Sequence, residues 1–259
     1  MLTLVMLAML GQGAAEPKDT RAPAEPKRVA TARAAAGPRI REAFQRAGVA
    51  YPPGEIFLRA FKREQQLELW AGPRGKELSL VKRYPVCALS GSVGPKRRQG
   101  DLQVPEGVYR IVRFNPWSNF HLSMGLDYPN ASDRIAGARA GTRDLGGDIY
   151  IHGGCATVGC LPMGDDGIEE LYFAALDARA GGQPSIQVHV FPHRLDAESL
   201  VKLGEQTPDL LAFWTSLQPI FDAFERSHRP PRVSVDPRTG SYRLEPRARG
   251  RCPIPGTAR

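Results

Sequence analysis

Residues 148–163 read Asp-Ile-Tyr-Ile-His-Gly-Gly-Cys-Ala-Thr-Val-Gly-Cys-Leu-Pro-Met, and no other stretch constrains the fold as tightly. Ile149 and Ile151 alternate with Asp148, Tyr150 and His152, the two-residue period of a strand. Gly153 and Gly154 end it, and residues 156–158 form a second strand or turn leading into Gly159 and Cys160. From Asp165 the apolar period becomes three and four residues, through Ile168, Leu171, Tyr172 and Leu176, which predicts a helix. Asp165 or Asp166 is the expected N-cap, with Glu169 and Glu170 in the first turn. A strand, a glycine-rich turn and a helix thus converge on His152 and Cys160, which are 160 − 152 = 8 positions apart.

That setting suits a nucleophilic thiolate. A free thiol ionises near pH ~8.5, and a helix N-terminus and an imidazolium both lower that value. A glycine before the nucleophile lets a substrate approach the backbone. Cys155 is the second candidate; it follows two glycines but does not lead into the helix, so Cys160 is preferred. Three other readings stay open. The pair could be packing residues. His152, Cys155 and Cys160 could ligate zinc with Cys87, His121, His189 or His193, although no Cys-x-x-Cys knuckle is present. Cys155 could also enter a disulfide.

The 259 residues allow one domain with a substantial core plus additions. Residues 1–10 are almost wholly apolar and 11–15 are small, as in a secretory signal cleaved after Ala15. The apolar run is shorter than the ~20 residues a membrane span needs, and no other span is expected. Residues 16–50, with Pro17, Pro23 and Pro26, read as a Pro/Ala/Arg-rich linker ending in a short helix over 39–47. The net charge of +8 suits anionic cell-envelope surfaces in a secreted chain better than nucleic acid. Four cysteines show no disulfide-scaffold spacing.

Short alternating runs at Ile56/Leu58, Leu67/Leu69, Leu78/Leu80 and Val108/Ile111, separated by Gly/Pro clusters, predict β-hairpins. Ile186, Val188 and Val190 form one face of a further strand, with Gln187 and His189 opposite; His189 and His193 read as structural or exposed. Helical periodicity returns at Ala197, and Pro208 and Pro219 bracket or kink it. Its stripe of Leu210, Phe213, Trp214, Leu217, Phe221 and Phe224 reads as core packing. Residues 234–244 suggest a hairpin, and 247–259 a disordered tail with an incidental Cys252.

His152-Gly153 followed by Thr157-Val158-Gly159-Cys160 and Met163 resembles the active-site motif of the L,D-transpeptidase (YkuD-type) catalytic domain. The segments 84–87, 94–101, 105–109, 121–123 and 127–130 resemble that family's early strands, loop, central strand and turn. Residues 213–231 resemble the C-terminal extension of a periplasmic murein branch that acts where peptidoglycan meets an outer-membrane lipoprotein. The resemblance implies an α+β fold with a mostly β, sandwich-like catalytic domain over 51–193 and a helical extension with terminal hairpin over 194–246. It implies acyl transfer at diaminopimelate through a thioester on Cys160, without cofactor or metal. His152 is the expected acid–base, the Gly153 carbonyl its orienting group, and Gly159 and Cys160 N–H the oxyanion donors.

Two departures stand out. Only seven residues separate His152 from Cys160, a shorter connection than many members have, and Pro162 replaces the usual Arg. Lys96, Arg97, Arg98 and Thr157 are the expected substrate contacts in its place. The expected partners are peptidoglycan stem peptides and a linked lipoprotein, outside the cytoplasm. Hydrolysis of that link is preferred to 3→3 cross-linking, and a non-catalytic peptidoglycan-binding protein is the rival from another class.

Overall fold

A computed structural model describes residues 27–246. The expected signal peptide, the start of the linker and the C-terminal tail with Cys252 lie outside the described residues. The chain runs α1 (Lys27–Arg46), β1 (Glu55–Phe61), β2 (Gln66–Gly72), β3 (Ser79–Pro85), β4 (Gly107–Asn115) and β5 (Ser123–Leu126). It continues with α2 (Ala131–Arg139), β6 (Tyr150–His152), β7 (Leu161–Pro162), α3 (Gly164–Ala180) and β8 (Ile186–Phe191). Helices α4 (Ala197–Gln206) and α5 (Pro208–Ser227) and a hairpin of β9 (Val233–Val235) and β10 (Tyr242–Leu244) complete it.

Eight strands form one sheet in the order β3-β2-β1-β8-β4-β5-β6-β7. Alternation along its central strands sorts side chains to two helical layers. Ile56, Leu58, Ala60, Leu67, Leu69, Val188 and Val190 join α1 and α3 in the main core. Phe57, Phe61, Trp70 and Phe191 point the other way, onto α5 through Trp214, Phe221 and Phe224. Both faces of the sheet centre are therefore buried, and the aromatic stripe of α5 is core. The expected α+β, mostly β fold is the one observed, as are the hairpins, the 185–190 strand and the terminal β9–β10 pair.

Three local expectations need correction. The short helix over 39–47 is the second half of a 20-residue helix that continues through Pro38. Val29, Ala32, Ala36, Ile40 and Phe44 bury one stripe of it, which offsets the ~3 kcal/mol an interior proline costs. Neither Asp165 nor Asp166 caps α3; Met163 occupies that position without a side-chain bond. Residues 156–158, expected as a strand or turn, are irregular backbone, and the short strand lies later, at β7. Helix α2 was not expected, yet Asn130 and Asp133 form a reciprocal capping box at its start.

Candidate active site

Strand β6 pairs with β5 on one side and, in parallel, with β7 on the other. The loop that carries the chain from β6 back to the start of parallel β7 brings His152 and Cys160 to the same cavity, of about 330 Å³, together with Phe120, Ser123, Tyr150 and Val158. His152 is buried, and the Phe120 ring lies 4.7 Å from the imidazole, centroid to centroid. Its Nδ1 is 2.6 Å from Gly153 O, so Nδ1–H donates and Nε2 keeps its lone pair. Burial lowers the His152 pKa, and the Gly153 carbonyl opposes that shift. Burial thus favours the neutral imidazole over the imidazolium.

The loop between the two residues is tied from several directions. Gly153 N–H is shared by Phe120 O (3.0 Å) and Leu122 O (3.1 Å), and Met163 N–H donates to His152 O (2.8 Å). Asp165 Oδ1 accepts from Gly154 N–H at 2.9 Å. A side chain at position 153 would place its Cβ 2.6 Å from that carboxylate oxygen, so only glycine fits. Cys155 forms a disulfide with Cys87, their Cα atoms 5.5 Å apart. This removes Cys155 as a rival nucleophile and takes two sulfurs from the zinc set. The other candidate ligands are engaged too: His121 with Glu169, His193 with Glu64, and buried His189 with Gln187.

Cys160 is the free cysteine among the described residues. Its Sγ accepts from Tyr150 N–H (3.3 Å) and lies 3.6 Å from Asp148 O. Burial pushes the thiol pKa up and Asp148 adds to this, against the Tyr150 N–H and the positive charge of Lys96. The expected low-pKa thiolate is therefore corrected: strand β7 separates Cys160 from α3, which starts at Gly164, and burial disfavours both the thiolate and a neighbouring imidazolium. Gly159 has φ +133°, and a Cβ there would sit 2.9 Å from Gln103 O. That close approach requires glycine.

The residues expected at the substrate are placed differently. Thr157 Oγ1 donates to Cys160 O (2.9 Å) and accepts from Gly159 N–H (3.2 Å) and Cys160 N–H (2.8 Å). Its hydroxyl organises the nucleophile turn, and both expected oxyanion donors are held by it. Lys96 is buried and paired with Asp101 at 2.6 Å. Arg97 pairs with Asp133 and covers the Phe213 ring. Arg98 alone of the three is exposed, with no side-chain bond among the described residues. Sequence reasoning missed Asp148 and Tyr150 as the backbone contacts of Sγ, Asp165 as the loop anchor, and Cys87 as the partner of Cys155. The strand alternation around Ile149 and Ile151 could have pointed to Tyr150.

A family model described as the L,D-transpeptidase catalytic domain, YkuD, matches residues 57–188. YafK of Escherichia coli K12, provisionally named an L,D-transpeptidase, is 35% identical over 182 residues, which is 70% of each chain. YafK of E. coli O157:H7 gives the same figures. Among solved structures, the helical cell shape determining protein Pgp2 of Campylobacter jejuni matches at 18% identity and TM-score 0.43, over 70% of this chain and 73% of Pgp2. Bd1075 of Bdellovibrio bacteriovorus matches at 18% identity and TM-score 0.38, over 67% and 61%. The family match spans half of the chain, the YafK match extends further at 35% identity, and the chain belongs to the YkuD family of L,D-transpeptidase catalytic domains.

Proposed function

We propose that this protein performs cysteine-dependent acyl transfer on peptidoglycan stem peptides, outside the cytoplasm, and that it hydrolyses the peptidoglycan–lipoprotein link. The carrying observation is the shared cavity of His152 and Cys160, with Nδ1 committed to Gly153 O and Nε2 left as the base. Cys160 Sγ attacks the diaminopimelate carbonyl while His152 Nε2 takes the thiol proton; the C–N bond breaks and His152 returns that proton to the leaving amine. A water or a second amine then attacks the thioester, again with His152 as base. Because thiol and imidazole rest neutral, the proton transfer accompanies attack.

Gly159 N–H and Cys160 N–H are the oxyanion donors of this reading. Thr157 Oγ1 accepts both at rest. A developing oxyanion is a stronger acceptor than a neutral hydroxyl, so exchange of one for the other favours the tetrahedral state. The short seven-residue connection and Pro162 after the nucleophile support restricted acceptor handling, hence water. No helix among the described residues is long and apolar enough to cross a membrane.

The test is incubation with lipoprotein-bearing sacculi and with free tetrapeptide muropeptides, resolving products by mass. Release of lipoprotein by the wild type, absent in Cys160→Ala, is the expected result. New 3→3 dimers without release would replace hydrolysis by cross-linking, and full activity in Cys160→Ala would end the cysteine reading.

A further inference from the structure

A second cavity, of about 410 Å³, adjoins the first and shares Asp148 and Tyr150 with it. The shared wall carries the nucleophile's own contacts, because Tyr150 N–H and Asp148 O are the groups that touch Cys160 Sγ. Four charged side chains line the second cavity: Arg113, Arg134, Asp127 and Asp148. Their formal charges cancel. Arg113 Nη1 donates to Tyr150 OH at 2.8 Å, and Tyr150 OH donates to Asp148 Oδ1 at 3.3 Å, so one cation and one anion are fixed around a single phenol. Asp127 spends Oδ1 on Arg110 N–H. Arg134 is exposed on α2 and has no side-chain hydrogen bond or ion pair among the described residues.

Two guanidiniums and two carboxylates around one cavity match neither a lone anion nor a lone cation. They match a group bearing both charges on one carbon. We propose that this cavity binds an α-amino-acid zwitterion, Arg134 and Arg113 receiving its carboxylate and Asp127 and Asp148 its ammonium. The inference rests on the acyl-transfer reading and supplies the carboxylate partner that Pro162 denies the site and that Lys96 and Arg97, committed to Asp101 and Asp133, do not provide. The zwitterion has two possible sources: the side-chain end of diaminopimelate in the stem being cut, or a free amino acid arriving as acyl acceptor. Burial raises the Asp127 pKa, against the Arg110 N–H and the charges of Arg110 and Arg134, so a ligand ammonium near it is favoured at neutral rather than acidic pH.

Binding to the Cys160→Ala variant tests this without turnover, so failure of the catalytic reading and failure of the pocket are separable. Calorimetry compares a tetrapeptide stem containing diaminopimelate, the same stem with lysine at that position, and a free D-amino acid. The diaminopimelate stem should bind at least about tenfold tighter than the lysine stem, the worth of one charge-assisted pairing. Adding Arg134→Gln should cut most of that advantage, leaving what Arg113 supplies, and Asp127→Asn should weaken it while keeping an acceptor for Arg110 N–H. Binding of the free D-amino acid, lost in Arg134→Gln, with equal affinity for the two stems, would assign the pocket to the acceptor. Equal stem affinities with no effect of Arg134→Gln and no amino-acid binding would overturn the proposal, whether or not the wild type is an enzyme.

Discussion

The two ends of the sheet are built on different terms. At one end, β1 and β2 pair in register over seven residues each, and helices cover both faces. At the other, β5, β6 and β7 are four, three and two residues long, and they carry the candidate chemistry. The long strands hold their buried charge in a complete network. Glu68 is fully buried and accepts from Arg59, Trp70 and Arg194 at 2.7, 2.8 and 2.7 Å. Burial pushes its pKa up, but Arg194 and Arg59 more than offset that and hold it at about 2. The short strands instead hold two neutral groups, imidazole and thiol, in place through loop backbone and one disulfide. The scaffold end cannot lose a charge cheaply; the site end can change protonation without losing its supports.

The largest effect that would test this contrast is in the scaffold. Glu68→Gln should cost ~3–5 kcal/mol, since the guanidiniums of Arg59 and Arg194 lose their buried counter-charge. Denaturant unfolding measures it, and turnover per folded molecule should not change. Loss of turnover with unaltered stability would erase the distinction between the two ends. At the site end, His152→Gln should lower the rate by at least ~100-fold with a much smaller stability change. A metal role would show instead as stoichiometric zinc in the wild type and unfolding by a chelator. The smallest effect is a shift on the pH axis. With the Cys160 pKa raised, iodoacetamide alkylation should rise with pH and reach half its maximum above the ordinary thiol value of ~8.5. Because the His152 pKa is lowered, the base form should persist as pH falls below the ordinary imidazole value of ~6.5. An alkylation midpoint at or below neutrality would restore the preformed ion pair.

How far the sequence discloses the molecule follows the same division. The long strands announce themselves by alternation at Ile56/Leu58 and Leu67/Leu69, and α5 by its apolar stripe, because both patterns are local. Helix α1 is hidden by Pro38 and an alanine-rich composition that reads as linker; only its packing on α3 and β3 makes it a helix worth keeping. Helix α2 is legible in Asn130 and Asp133, the residue pair of its reciprocal capping box. The His152 and Cys160 pair stands out through its glycines, yet its protonation state does not, since burial is set by Phe120 and the rest of the fold. Thr157, Lys96 and Arg97 illustrate the same limit. Their residue types suit substrate contact, but their partners at positions 160, 101 and 133 claim them first.

The central claim, a thioester on Cys160, is tested most directly by rapid-quench mass spectrometry of the wild type mixed with a diaminopimelate stem peptide. The account predicts a transient acyl adduct on the peptide that contains Cys160, absent from Cys160→Ala, forming before product appears. Product formation with no adduct at any time point, or an adduct that survives in Cys160→Ala, would contradict it.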